Sequence, residues 1–471
     1  MFLKVFIFIL VQGFCQSLDF LRLSNEHHNI CLDQYLRNRT EHTFEQKIDH
    51  FNESDHRSFK MRYGKATEYW KPGGPIFLYI GGEFPIQTNN NLTAEEGCGQ
   101  NVGIVIELIQ ETNAALYILE HRYYGESKPF ANPTVDDLKY LSVKQALADV
   151  AHVLQTFKAT EEYKNSKVLV IGGSYSGNLA AWMKVVYPEL VDAAHCSSGP
   201  LLAKKDFYEY FEGVKETFKT YGSQDCVDKI TTKFNSIQEL LQTPEGIKKL
   251  KRDFNICNKT DMTVPENQQV FFSFLTYNYI GNAQYGTSQS IKDMCQNITL
   301  HWPRSLVMDD ELHVRCFDLD FNTIIPKVHK ERSWLWFYQT CTEFGYYQTT
   351  TSNNQMFGQD TVPLEYYLKT CKLLFGEEFD ERRVDEGVMN TNKKYGGLTP
   401  NVENVVFVNG DMDPWHRLGV LHDLSAAAPA VYVMGVSHCS DLSLRPDDAD
   451  DVNEAYDKIK YYIKKWIGAS T

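Results

Sequence analysis

The hexapeptide Gly172-Gly173-Ser174-Tyr175-Ser176-Gly177 constrains this chain more than any other segment. A short apolar run rich in β-formers, Lys167-Val168-Leu169-Val170-Ile171, leads into it. Asn178-Leu179-Ala180-Ala181-Trp182-Met183 leaves it as the first turns of a buried helix. Strand, tight glycine turn with a central serine, then helix is the layout of a nucleophile elbow. Such a turn lifts the serine oxygen above the carboxyl edge of a parallel sheet and aims helix N–H groups at an oxyanion formed there. The expectation is a serine hydrolase.

The surrounding pattern supports a parallel sheet. Pro75 to Ile80 reads as a buried strand ending in Gly81-Gly82-Glu83, and Ala114 to Leu119 as a second, ending in Glu120-His121-Arg122-Tyr123-Tyr124-Gly125. Residues 142–157 carry Val143, Ala146, Leu147, Val150 and Leu154 at helical spacing. Alternation of this kind implies a sheet covered by helices on both faces. From about 205 to 390 the strand signals largely vanish. Val227, Ile230, Phe234, Ile237, Leu240 and Leu241 form a helical stripe there, and Val270 to Tyr279 is a helix-like aromatic run. Strands return at Asn404 to Val408 and Ala430 to Met434, and 451–467 closes the chain with an amphipathic helix.

The expected organisation is therefore an α/β-hydrolase domain over 45–204 and 393–471, with a mostly helical, disulfide-bonded cap domain over 205–392 inserted between nucleophile and acid. A chain of 471 residues is long enough for two such domains. Residues 1–17, with Lys4 before the apolar stretch Val5 to Val11, read as a signal peptide, and 18–44 as an N-terminal segment or propeptide. The apolar run is about half of the roughly 20 residues that a membrane span needs. The net charge of −14 argues against a nucleic-acid partner, which requires clustered Lys and Arg. Of 11 cysteines, Cys226, Cys257, Cys295, Cys316, Cys341 and Cys371 cluster between 226 and 371 without zinc-ligand spacing, so disulfides are the natural reading. Sequons begin at Asn38, Asn52, Asn91, Asn258 and Asn297. Together these features point to the secretory pathway, with a secreted or lysosomal/endosomal destination.

A serine hydroxyl needs a histidine to take its proton and a carboxylate to orient that histidine. In an α/β-hydrolase the order is Ser, acid, His, each on a loop after a strand. Ser174, then Asn409-Gly410-Asp411-Met412-Asp413-Pro414-Trp415, then Gly435-Val436-Ser437-His438-Cys439 satisfy that order. Spacing alone does not separate Asp411 from Asp413. His416 and His422 compete with His438, but His416 is too near Asp413 to come from a separate loop, and His422 is expected on the following helix. Oxyanion donors are expected from Tyr175 N–H and from Gly82 or Glu83. This chemistry requires no metal or organic cofactor.

Beyond single motifs, the chain resembles the prolyl carboxypeptidase and dipeptidyl peptidase II family of serine peptidases. The matching segments include Gln46-Lys47-Ile48-Asp49-His50-Phe51, Gly81-Gly82-Glu83, Glu120 to Ser127, Tyr140-Leu141-Ser142 with Gln145 to Asp149, and Gly172 to Trp182. They continue through Trp336 to Gly345, Asn409 to Trp415 and Ser437-His438-Cys439. Ser176, which stands where the carboxypeptidase and dipeptidase branches have glycine, is similar to the thymus-specific serine protease branch. The resemblance implies Asp413 as the acid and His438 as the base. It implies disulfides Cys226–Cys295, Cys257–Cys316 and Cys341–Cys371, leaving Cys31, Cys98, Cys196 and Cys439 open. It also implies a pocket near Trp336, Tyr338 and Gln339, whose flat aromatic wall suits a proline ring. The expected function is a serine exopeptidase cutting short peptides next to proline, in carboxypeptidase or dipeptidyl-peptidase mode, with peptide substrates as partners and room for a homodimer. A carboxylic-ester hydrolase and a catalytically silent secreted binding protein are the alternatives on the same scaffold.

Overall fold

Residues 40–86, 103–298, 316–329, 333–442 and 450–470 are described by a computed structural model. The expected leader over 1–17 lies outside them, as do most of 18–44, Cys31, Asn38, Asn91 and Cys98. No helix among the described residues is long and apolar enough to cross a membrane.

Two compact units divide the chain. Among the described residues, one contains those up to Leu202, Asn392–Asp411 and those from Leu418 onward; the other contains those within Ala203–Thr391 and Met412–Arg417. The first holds an eight-stranded sheet: β1 (Thr40–Lys47), β2 (Ser58–Ala66), β3 (Ile76–Ile80), β4 (Ala115–Leu119), β5 (Val168–Gly173), β6 (Ala193–Ser197), and, after the long insertion that carries β7 (Lys204–Asp206) and β8 (Gly345–Tyr347), β9 (Val405–Gly410) and β10 (Ala430–Val433). The order is β1-β2-β4-β3-β5-β6-β9-β10. The β1–β2 and β2–β4 pairs are antiparallel, and the remaining pairs are parallel.

Strands β3, β4 and β5 are apolar along their length because both faces are covered. Phe77, Tyr79, Leu116, Ile118, Leu169, Ile171, Val406, Val408, Val431 and Val433 share one core with helix α1 (Ile104–Thr112) and the C-terminal helix Asp450–Ile467. Residues of the other parity point the opposite way, the side on which α2 (Val143–Lys158) and α3 (Tyr175–Val186) pack against each other. Ser142 caps α2 by accepting from Gln145 N–H. The sheet and elbow together are an α/β-hydrolase fold. β1, β2 and β6 carried no legible strand signal: β1 is mostly polar, and Ala193-Ala194-His195-Cys196-Ser197 lacks large β-formers.

The end of β4 is held by a buried charge. The Arg122 guanidinium, fully buried, makes a two-pronged pair with Asp149 of α2, Nε to Oδ2 at 2.6 Å and Nη2 to Oδ1 at 2.8 Å. It also donates to the carbonyls of Lys47, Ile48 and Tyr140. His50 reaches Asp149 Oδ1 at 2.7 Å. Burial would raise the Asp149 carboxyl, but Arg122 and His50 hold it below its ordinary value.

In the second unit, α4 (Glu209–Thr217), α5 (Gln224–Leu240), α6 (Pro265–Tyr285), α7 (Ser333–Gln339) and α8 (Leu364–Phe375) form around aromatic side chains. Disulfides join Cys226 to Cys295, Cys257 to Cys316 and Cys341 to Cys371. Cys439, in the first unit, is also disulfide-bonded, whereas Cys196 is a buried free thiol.

Asp149→Asn leaves the Arg122 charge buried without its counter-charge and should lower the unfolding free energy by about 3–5 kcal/mol. Lys167→Gln, which breaks the exposed pair with Asp192, should cost less than about 1 kcal/mol. Urea denaturation of both variants checks this, and equal midpoints would remove Arg122 as the anchor of this unit.

Candidate active site

The elbow is built by close approach. Ser174 takes φ 57° and ψ −127°, a conformation that costs a non-glycine residue about 1–3 kcal/mol unless its surroundings enforce it. They do so from both sides. A Cβ at Gly172 would lie 2.0 Å from the Ser176 carbonyl oxygen, and one at Gly177 would lie 2.8 Å from the Ser197 carbonyl oxygen. Ser176 fits because its hydroxyl turns back on the turn, donating to Gly173 O at 2.8 Å and accepting from Gly173 N–H at 3.0 Å. The serine that breaks a strict Gly-x-Ser-x-Gly pattern is thus satisfied within the elbow itself.

Tyr175 opens α3, so its N–H points out of a helix N-terminus. Its ring is fixed by His121. The Arg122 carbonyl can only accept, so His121 Nδ1 carries the proton and donates to it at 2.8 Å, leaving Nε2 to accept from the Tyr175 hydroxyl at 3.1 Å. Burial pushes His121 down to about 4, which keeps the ring neutral for this role. The loop after β3 lies against the elbow: a Cβ built on Gly82 would sit 3.7 Å from Ser176 Cβ. Glu83 is 6% exposed, and burial pushes its carboxyl up to about 8.

His438 follows β10 and is buried. The β6 strand holds its loop at two points. Ser198 Oγ accepts from Cys439 N–H at 2.9 Å, and Asp441 accepts from Ser197 Oγ at 2.5 Å and pairs with His195 Nε2 at 2.7 Å. The Ser197 carbonyl also accepts from Ser174 N–H at 2.9 Å. One strand end therefore sets both the Ser174 turn and the His438 loop. Sequence reasoning missed His195, Ser198 and Asp441, because a strand of small and polar residues gives no periodic signal.

The two aspartates differ in environment. Asp411 accepts from Gly435 N–H at 2.6 Å and staples the loops after β9 and β10. Asp413 is fully buried and accepts from Trp415 N–H at 3.0 Å. Its segment belongs to the helical unit. There the Trp415 indole is boxed by Phe207, Tyr210 and Tyr346, with ring centroids 5.4, 5.6 and 5.5 Å away. Thr217 donates to the Met412 carbonyl at 3.1 Å. His416 N–H bonds the Asp413 carbonyl within the same turn. His422 lies in a bend and not on the helix expected for it, because the connection from Leu418 to β10 is taken up by bends and a tight Ser425–Ala428 turn.

The three residues expected to line a pocket are all buried on or at the end of α7. Trp336 packs on Phe344 at 5.8 Å, and Tyr338 stands edge-on to Phe375 at 5.5 Å and tilted against Phe379 at 5.7 Å. Gln339 is the most deeply buried of them. The sequon residues Asn52, Asn258 and Asn297 are exposed.

Comparison with known proteins follows this geometry. A family model described as serine carboxypeptidase S28 matches residues 46–459. A provisionally named serine protease of Caenorhabditis elegans is 32% identical, covering 95% of this chain and 91% of that protein. The thymus-specific serine protease of Mus musculus is 31% identical over 90% of this chain and 86% of its own. The lysosomal Pro-X carboxypeptidase of Mus musculus is 29% identical over 90% and 88%.

The His121 environment has a pH consequence. Its folded value is depressed to about 4 from 6.5. The unfolded chain therefore binds the proton first as pH falls, and the stability present above 6.5 is lost progressively towards 4. In wild type this contributes a slope of at most about 1.4 kcal/mol per pH unit, and His121→Gln should flatten it. Urea midpoints across that window test the claim; identical slopes would refute it.

Proposed function

This chain belongs to the serine carboxypeptidase S28 family and is a serine peptidase, and on that premise we propose that it is an exopeptidase cutting short peptides next to proline through Ser174, His438 and Asp413. The observation that carries the reading is the left-handed Ser174 turn between β5 and α3. In the proposed mechanism Ser174 Oγ attacks the scissile carbonyl while His438 takes its proton. The N–H of Tyr175 and one from Gly82 or Glu83 receive the oxyanion. His438 then protonates the leaving amine. Water, deprotonated by His438 in turn, releases the acyl group from Ser174. Asp413 orients His438 and stabilises its charged form.

Asp413 is preferred to Asp411 for two reasons. Its burial excludes the water that would weaken its pull on an imidazolium, and the Asp411 carboxyl is already engaged by Gly435. The proline preference is supported by the relative named Pro-X carboxypeptidase. The aromatic helix bearing Trp336, Tyr338 and Gln339 is proposed to shape the site for the residue before the scissile bond. The disulfides fit a secretory-pathway or lysosomal protein. Cleavage of a leader near residue 17 and glycosylation at the exposed Asn52, Asn258 and Asn297 complete the proposal.

A fluorophosphonate probe should label wild type at Ser174, and Ser174→Ala should lower kcat by roughly 10⁴- to 10⁶-fold. Near-wild-type turnover in that variant would remove Ser174 as nucleophile. Mass spectrometry of a digested peptide library should show loss of single C-terminal residues after proline or of N-terminal dipeptides; internal cuts alone would refute the exopeptidase reading.

A further inference from the structure

Among the described residues, Asn113, Asn255, Asp360 and Asn404 take a positive φ, and their short amide or carboxyl side chains suit that region. Ser174, Ser198 and Cys439 take it as well, at φ 57°, 47° and 55°, without that advantage. Strained backbone of this kind persists only where its surroundings enforce it, and it gathers at functional sites. These three residues converge on the end of β6. Ser174 N–H donates to the Ser197 carbonyl at 2.9 Å, and Cys439 N–H donates to Ser198 Oγ at 2.9 Å. Ser198 N–H in turn donates to the Val408 carbonyl of β9 at 2.7 Å, which fixes the backbone of the serine itself.

A glycine at 198 would adopt the left-handed conformation freely. The chain carries a buried serine there, and what that serine adds to a glycine is one hydroxyl. The hydroxyl meets the peptide N–H that follows His438. A peptide unit is planar from one Cα to the next. The bond to Cys439 N–H therefore fixes the plane in which the His438 Cα lies, and so constrains the direction in which the imidazole leaves the chain. Asp441, further along the same loop, is held to the same strand by Ser197 and His195. With the second attachment the loop cannot pivot about the first.

We propose that Ser198 is a positioning residue: its hydroxyl, presented by a left-handed backbone at the end of β6, sets the His438 imidazole for proton transfer to and from Ser174. The proposal rests on the reading of His438 as the base. Ser198 acts through His438 and takes no proton itself.

The test is a cycle of wild type, Ser198→Ala, His438→Ala and the double variant, assayed on one peptide that wild type cleaves. Ser198→Ala should lower kcat by roughly 10- to 100-fold, the effect of misplacing a reacting group by about an ångström, with KM little changed. Against the residual rate of His438→Ala, adding Ser198→Ala should cost nothing further, because residues that act as a unit are not additive. Ser198→Gly, relieved of backbone strain, should unfold at a higher urea midpoint than Ser198→Ala and still share its low kcat. An unchanged kcat in Ser198→Ala overturns the proposal. So does an equal loss with and without His438, or a kcat in Ser198→Gly that recovers in step with stability. If Ser198→Ala does not fold, Ser198→Gly takes its place in the cycle. A His438→Ala protein as active as wild type defeats the reading of His438 as base and the positioning role with it, whereas an additive cycle around an impaired His438→Ala defeats the positioning role alone.

Discussion

A guanidinium cannot sit in a protein interior without a counter-charge and acceptors for its N–H groups. Arg122 does sit there, and meeting that requirement draws together the end of β1, the Tyr140 turn and α2. The two residues before it extend the same organisation. His121 holds the Tyr175 ring, and Glu120 gathers the Ile86 and Glu126-Ser127 backbone. Three consecutive side chains after β4 therefore fix the helix behind the elbow, the residue after the proposed nucleophile and the loops beside them. Gly125 has no Cβ because one would lie 2.0 Å from the Glu120 carboxyl.

The proposed nucleophile and base share a second support, β6. Its last residues bond Ser174 N–H on one side and the loop of Cys439 and Asp441 on the other. Hydrogen bonds of fixed length from one rigid strand end constrain both loops more tightly than either could be constrained by its own turn. The segment of the proposed acid is held differently. Asp413 stands beside Trp415, and the aromatic box around that indole belongs to the helical unit. The long insertion thus does more than separate Ser174 from Asp413 in the chain, since its aromatic residues hold the segment that carries Asp413, the proposed acid.

Much of this was legible in advance for a physical reason. Strands covered on both faces by apolar layers are rich in large β-formers, which is why β3, β4, β5 and β9 stood out, and the edge strand β10, with Tyr432 exposed, stood out by its valines. An elbow needs small residues where strand and helix nearly touch, which is why Gly172 to Gly177 stood out. Strands that gain their stability from pairing or polar partners leave no such mark. Thr43-Phe44-Glu45-Gln46 of β1 and His195-Cys196-Ser197 of β6 are examples. The helix expected at His422 is absent because the connection from Leu418 to β10 is short and irregular.

The chain alone determined the fold class, the order of a serine elbow, an aspartate-bearing loop and a histidine-bearing loop and, through the resemblance, three cysteine pairings, because these depend on local pattern and on chain order. Tertiary structure decided what pattern cannot encode. It distinguished a stapling Asp411 from a buried Asp413, gave His121 its tautomer, turned the Ser176 hydroxyl inward and left Glu83 with an unmatched oxygen. Each of these depends on which groups distant in sequence meet at hydrogen-bonding distance, and on how much water remains between them.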